Sequence, residues 1–107
     1  LEAAKLVIPN MKKQGRGTIL FTGGGLALHP SAAYSSLAIG KAGIRSLAFS
    51  LAEELEPFNI HVATVTVMGF VKPGTAFDPD KIAEHYWRLH RQEKESWETE
   101  HVFKGEA

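Results

Sequence analysis

The chain alternates between two kinds of apolar pattern. Residues 1–13 carry Leu1, Ala4, Leu6, Val7, Ile8 and Met11 at roughly helical spacing. Pro9 is expected to break this helix, and Lys12, Lys13 and Gly15 to end it. Thr18-Ile19-Leu20-Phe21-Thr22 is a short, nearly continuous run of β-formers. It predicts a strand buried on both faces, as in a parallel sheet. Gly23-Gly24-Gly25 then lets the backbone leave the strand, and an irregular stretch around His29-Pro30 follows. From Ser35 or Ser36 a long helix is predicted, with Leu37, Ala38, Ala42, Ile44, Leu47, Ala48, Leu51, Ala52 and Leu55 as its apolar positions. They are so many and so small that cover on more than one side is expected. Glu53, Glu54 and Glu56 mark its solvated end, Pro57 stops it, and Phe58-Asn59 turns the chain. Ile60-His61-Val62-Ala63-Thr64-Val65-Thr66-Val67 is almost entirely β-branched and is the strongest strand signal. Asp78-Pro79-Asp80 then reads as a capped helix start. That helix runs to about Arg91, with Ile82, Ala83, Tyr86 and Leu89 on one face. Residues 94–103 predict a last short helix with Trp97 and Val102 inward.

The order is helix, strand, long helix, strand, loop, helix. It predicts an α/β fold built on a parallel crossover. In such sheets ligands gather at the carboxyl ends of the strands, here residues 23–25 and 68–73. There are no internal repeats and no linker, so one domain, or part of one, is expected.

Composition narrows the classes. The chain has 107 residues, enough for one core, and an ordinary 44% of them are hydrophobic. It has no Cys, which removes disulfides, thiolate metal sites and a thiol nucleophile. Twelve Lys and Arg balance twelve Asp and Glu, so no basic field points to nucleic acid. The apolar runs fall far short of the roughly 20 residues that span a bilayer. No signal-peptide pattern opens the chain, and a cytoplasmic setting is the expectation. Leu1-Glu2-Ala3-Ala4-Lys5 reads as the middle of an uncapped helix, so the first half of a longer protein is expected upstream.

Three segments carry a resemblance. They are Gly17-Thr18-Ile19-Leu20-Phe21-Thr22-Gly23-Gly24; Lys41-Ala42-Gly43-Ile44-Arg45-Ser46-Leu47 with Ser50-Leu51-Ala52-Glu53-Glu54-Leu55; and Pro57-Phe58-Asn59-Ile60-His61-Val62 leading to Gly69-Phe70-Val71. In this order they resemble the C-terminal half of a short-chain dehydrogenase/reductase, and Ile8-Pro9-Asn10-Met11 fits the end of that family's preceding helix. The resemblance implies part of a Rossmann-like doubly wound parallel sheet over residues 1–107, with a substrate lid at about 75–103 and the nucleotide-binding half missing. It implies a nicotinamide cofactor, NAD or NADP, and a small carbonyl or alcohol substrate. It places Lys41 at the family lysine, which holds the nicotinamide ribose. It places Gly23, Met68, Gly69 and Val71 along the cofactor. It also implies a homodimer or homotetramer packed through the helix at 36–56, where Ala38, Ala42, Ala48 and Ala52 suit close approach.

The family's chemistry rests on a Tyr four residues before the Lys, on the same helix face, and on an upstream Ser. Here Leu37 stands at the Tyr position and Gly24 at the Ser position. The loop also departs, with Met68 before Gly69 where relatives usually have Pro. Tyr34, seven before Lys41, would share the lysine's face about 10 Å along an unbroken helix. It is the substitute catalytic acid to weigh against an aromatic that merely lines the substrate mouth. Gly23-Gly24-Gly25 could alternatively be a phosphate-binding turn, but no later Gly occupies the pyrophosphate position. The five His have no zinc-site spacing, so no metal is expected. His29 lies near the expected cleft, and Phe70, Phe77, Tyr86 and Trp87 could wall an apolar pocket or simply pack the lid.

Three functions follow. One is a nicotinamide-dependent oxidoreductase of a carbonyl or alcohol. The second is a catalytically impaired relative that binds cofactor or serves a structural role, since lost general acid help costs about 10²–10⁴-fold. The third is a free-standing helix–strand module that binds a partner through its long helix.

Overall fold

The computed structural model describes residues 1–29 and 31–106. Pro30, in the irregular stretch, lies outside them. Three parallel strands form one sheet in the order β1 (Gly17–Gly24), β2 (Ile60–Val67), β3 (Glu100–Phe103). Gly17 faces Ile60 and Gly24 faces Val67 in the first pair; Thr64 faces Glu100 in the second. Helices α1 (Glu2–Gln14) and α2 (Ser35–Leu55) cover one face, where Ala4, Ile19, Ala48, Leu51, Leu55, Ile60 and Val62 form a core. Helix α3 (Pro79–His90) covers the other, where Ile82 and Leu89 meet Ala63, Val65, Val67 and Phe103. β2 is buried at every position, as a central parallel strand with both faces covered must be.

Local chemistry explains the elements. Helix α1 runs through Pro9 rather than breaking there. Pro9 and Lys5 are both exposed, so the Lys5 carbonyl that loses its helical partner can meet water. Gly15 ends α1 in the left-handed conformation at φ 70, its N–H on the Lys12 carbonyl and the Arg16 N–H on the Met11 carbonyl. Asn59, left-handed at φ 62, donates from Nδ2 to the Gly15 carbonyl at 3.0 Å and ties the turns before β1 and β2. The Asp78 side chain accepts the Asp80 N–H and caps α3.

Residues 94–103 are not a helix. Lys94–Ser96 is one 3-10 turn, and β3 follows. Strand pairing supplies what the local sequence does not: Thr64 N–H donates to the Thr99 carbonyl and Met68 N–H to that of Phe103. Trp97 stacks on buried His61, ring centroids 4.7 Å apart, and is half-buried like Val102; Phe103 is the residue of this segment that enters the core.

Three burial expectations are corrected. β1 pairs only with β2 among the described residues, and Thr22 is exposed. Helix α2 is covered on one side, leaving Leu37, Ile39 and Phe49 exposed. Ala83 of α3 is exposed as well.

Candidate functional site

The carboxyl ends of β1 and β2 open into a cleft of about 440 Å³, large enough for part of a cofactor with a small substrate. Three pieces of chain build it. The first is the end of β1 and the 3-10 turn after it (Gly25–Ala27), which bring Thr22, Gly23, Gly24, Gly25 and Leu26. The second is the start of α2, which brings Tyr34, Leu37 and Lys41. The third is the chain after β2, which brings Met68, Gly69, Phe70 and Val71. His29 lines the cleft as well.

Parallel pairing sets this geometry. Because Gly24 is in register with Val67, both strands release their chains at one level. The first turns of α2 return over that level. The hydrocarbon stem of Lys41 lies beside Gly24, whose missing Cβ would sit 3.4 Å from the lysine Cγ, Cδ and Cε. Gly25 approaches Met68 so closely that a Cβ there would be 2.8 Å from the Met68 sulfur. The glycines thus leave backbone, not side chain, along the floor. Lys41 is in no ion pair among the described residues.

All the sequence-derived site residues therefore meet in one cleft: Lys41, Tyr34, Gly23, Met68, Gly69 and Val71. Leu37 lines it too, half exposed at 51%, with no ionisable group to offer. Tyr34 precedes α2 as its N-cap residue and is 54% exposed. Its backbone at φ −128, ψ 37 is not helical, so the unbroken-helix placement of its side chain relative to Lys41 does not hold. Of the four aromatics read as pocket wall, only Phe70 lines the cleft. Phe77 backs Gly69 and packs edge-on to Phe103, and Trp87 lies exposed on α3. Tyr86 instead shares a hydrogen bond with the Thr22 hydroxyl, and burial raises its phenol above the usual value.

Thr22 and Leu26 are cleft residues that motif reasoning missed. Their signal was positional: each lies within three residues of a strand's carboxyl end. Among the described residues no cluster of three or more His, Cys, Asp or Glu could hold a metal, and no helix is long and apolar enough to cross a membrane.

The side-chain-free floor and the adjacent Lys41 fit the nicotinamide–ribose end of a dinucleotide: the backbone can approach closely and a cation stands beside it. The family described as short chain dehydrogenase matches residues 1–81. A short-chain dehydrogenase from Rhodopseudomonas palustris is 34% identical, superposes with a TM-score of 0.79, and is matched over 98% of this chain and 44% of its own. A metagenomic short-chain oxidoreductase solved in complex with NADP is 28% identical at a TM-score of 0.83, over 97% of this chain and 46% of its own. A very-long-chain 3-oxoacyl-CoA reductase of Coccidioides immitis (strain RS) is 38% identical over 65 residues, 61% of this chain and 19% of that protein. The chain thus spans less than half the length of each of these three relatives. With the parallel sheet and the match over residues 1–81 taken together, the chain belongs to the short-chain dehydrogenase family.

Proposed function

We propose that the protein containing this chain is a nicotinamide-dependent oxidoreductase that interconverts a small carbonyl and its alcohol, using NAD or NADP. The observation that carries this reading is Lys41 lying along Gly24 at the joint carboxyl ends of two parallel strands. Two relatives support the class, one solved with NADP and one named as a reductase of a 3-oxoacyl thioester. The mainly apolar lining from Leu26, Leu37, Met68, Phe70 and Val71 suits an apolar substrate body.

The bound reduced cofactor would supply a hydride to the carbonyl carbon. The chain's own residues do the rest. Lys41 holds the ribose hydroxyls through its ammonium and adds positive potential beside the developing oxyanion. Tyr34 donates its phenolic proton to that oxygen and regains one from solvent, which its exposure permits. Gly23, Met68, Gly69 and Val71 border the nicotinamide through backbone and small surfaces. The 75–103 lid region enters through Phe77, which backs Gly69 in the cleft wall. Ala38 and Ala48 are buried within the chain and are not free for helix approach, so a homodimer or homotetramer would form through the exposed side of α2 that carries Ile39, Ala42 and Phe49.

One observation favours a second reading, a relative that binds cofactor but turns over poorly. The aliphatic Leu37 and the bare Gly24 leave the cleft without the family's proton donor and orienting hydroxyl. One experiment separates the two. The intact protein is titrated with NADH and NADPH, then assayed for nucleotide oxidation on a panel of apolar ketones and aldehydes. Binding with turnover that Tyr34→Phe abolishes supports the oxidoreductase. Binding without turnover, with activity created by Leu37→Tyr, supports the impaired relative. Failure of both nucleotides to bind removes both.

A further inference from the structure

A polar line crosses the sheet directly beneath the cleft, on the face that α2 covers. Arg45 of α2 grips Glu100 of β3 with two hydrogen bonds, Nε to Oε2 at 2.8 Å and Nη2 to Oε1 at 3.1 Å. Thr66 of β2 donates to the same Oε2 at 2.7 Å. Thr66 is in register with Gly23 of β1, and a Cβ on Gly23 would come 3.2 Å from the Thr66 hydroxyl. The Glu100 side chain is only 13% exposed and Thr66 is fully buried, so this is not a loose surface pair.

Such a pair is a weak stabiliser, because Glu100 must shed water while the Arg45 side chain, 38% exposed, is still screened by it. Its use lies in direction: a bidentate guanidinium–carboxylate contact tolerates little rotation. Helix α2 needs that constraint. Its buried apolar anchors are Ala48, Leu51 and Leu55 in the second half, and Ala38 alone in the first. Between Ala38 and Ala48 nothing apolar is fully buried, and Lys41 lies in that interval. Arg45 follows Lys41 by four residues, so the two share one face about 6 Å apart along the axis. The Arg45 guanidinium is held further by lying over the Phe49 ring, 4.8 Å from its centroid.

We propose that the Arg45–Glu100 clasp fixes the rotation of the first half of α2 and thereby keeps the Lys41 stem on Gly24. Arg45 and Glu100 are positioning residues. Their effect on nucleotide binding rests on the proposed role of Lys41, but the placement of Lys41 can be read independently.

The test uses the intact protein, reductively methylated with ¹³C-formaldehyde. The dimethyl-lysine resonance of Lys41 is assigned through Lys41→Arg. Glu100→Gln and Arg45→Met are each expected to shift or broaden that resonance and, in unmethylated protein, to weaken NADH or NADPH binding about tenfold. Arg45→Lys, which keeps the charge but cannot make the two-point contact, is expected to move the resonance as well. Arg88→Met, which breaks the exposed Arg88–Glu98 pair, changes neither resonance nor binding. A Lys41 resonance unmoved in folded Glu100→Gln protein, whatever its melting temperature, overturns the clasp. If Glu100→Gln does not fold, an unmoved resonance in Arg45→Met overturns it equally. A resonance that moves while nucleotide affinity stays constant upholds the clasp and instead removes the cofactor role of Lys41.

Discussion

The side chain of Lys41 covers the position where Gly24 would carry a Cβ, at 3.4 Å from three of its carbons. The contact is ordinary van der Waals packing, and Gly24 is extended at φ −154, ψ 156, a conformation open to any residue. The glycine is therefore not demanded by the fold. Gly24→Ser is expected to fold with a loss below about 1 kcal/mol, read by thermal denaturation, while placing a hydroxyl beside the lysine stem. A collapse in stability would mean that the added hydroxyl finds no room beside the lysine stem.

Gly69 is the opposite case. A Cβ there would lie 2.5 Å from Phe77 Cζ, and Phe77 is braced edge-on by Phe103. Overpacking of this kind costs about 1–3 kcal/mol. Gly69→Ala is expected to fall in that range in urea unfolding, and Gly23→Ala, whose contacts are 3.1 and 3.2 Å to threonine hydroxyls, to cost less.

Acid should weaken the fold in two steps. Burial, then the charges of His85 and Arg88, lower the His101 imidazole below 6.5. The unfolded chain thus takes up its proton first, and stability falls as pH drops below about 6.5. The Arg45 hydrogen bond holds the Glu100 carboxyl below its ordinary 4.5, and Arg88 does the same for Glu98. Their stabilisation is complete above about 4.5 and is lost as pH falls through the depressed values. Urea midpoints followed against pH should show both steps. His101→Gln should erase the upper one, and Glu100→Gln should shrink the lower.

What the sequence revealed tracks where the stabilising contacts lie. β2 was legible to the residue, because a β-branched run buried on both faces states itself locally. The capped start of α3 was legible for the same reason. β3 was not. Only Val102 and Phe103 are apolar in it, and Glu100 finds Arg45 and Thr66 at 55 and 34 residues' distance. Pro9 misled because the helix continues through it, with the Lys5 position that loses its hydrogen bond exposed to water. The cleft was largely legible, since strand ends in a parallel sheet converge wherever the order of elements is known. The side-chain position of Tyr34 was not, because Tyr34 stands just before the helix at φ −128, ψ 37, a conformation that helical spacing to Lys41 does not describe.

The most direct measurement is the affinity of the intact protein for NADH and NADPH with Lys41 and with Lys41→Met, followed by nicotinamide fluorescence. Lys41 holding the ribose implies at least about a tenfold loss on truncation, the cost of one charge-assisted hydrogen bond. Equal affinity in the two proteins would contradict it.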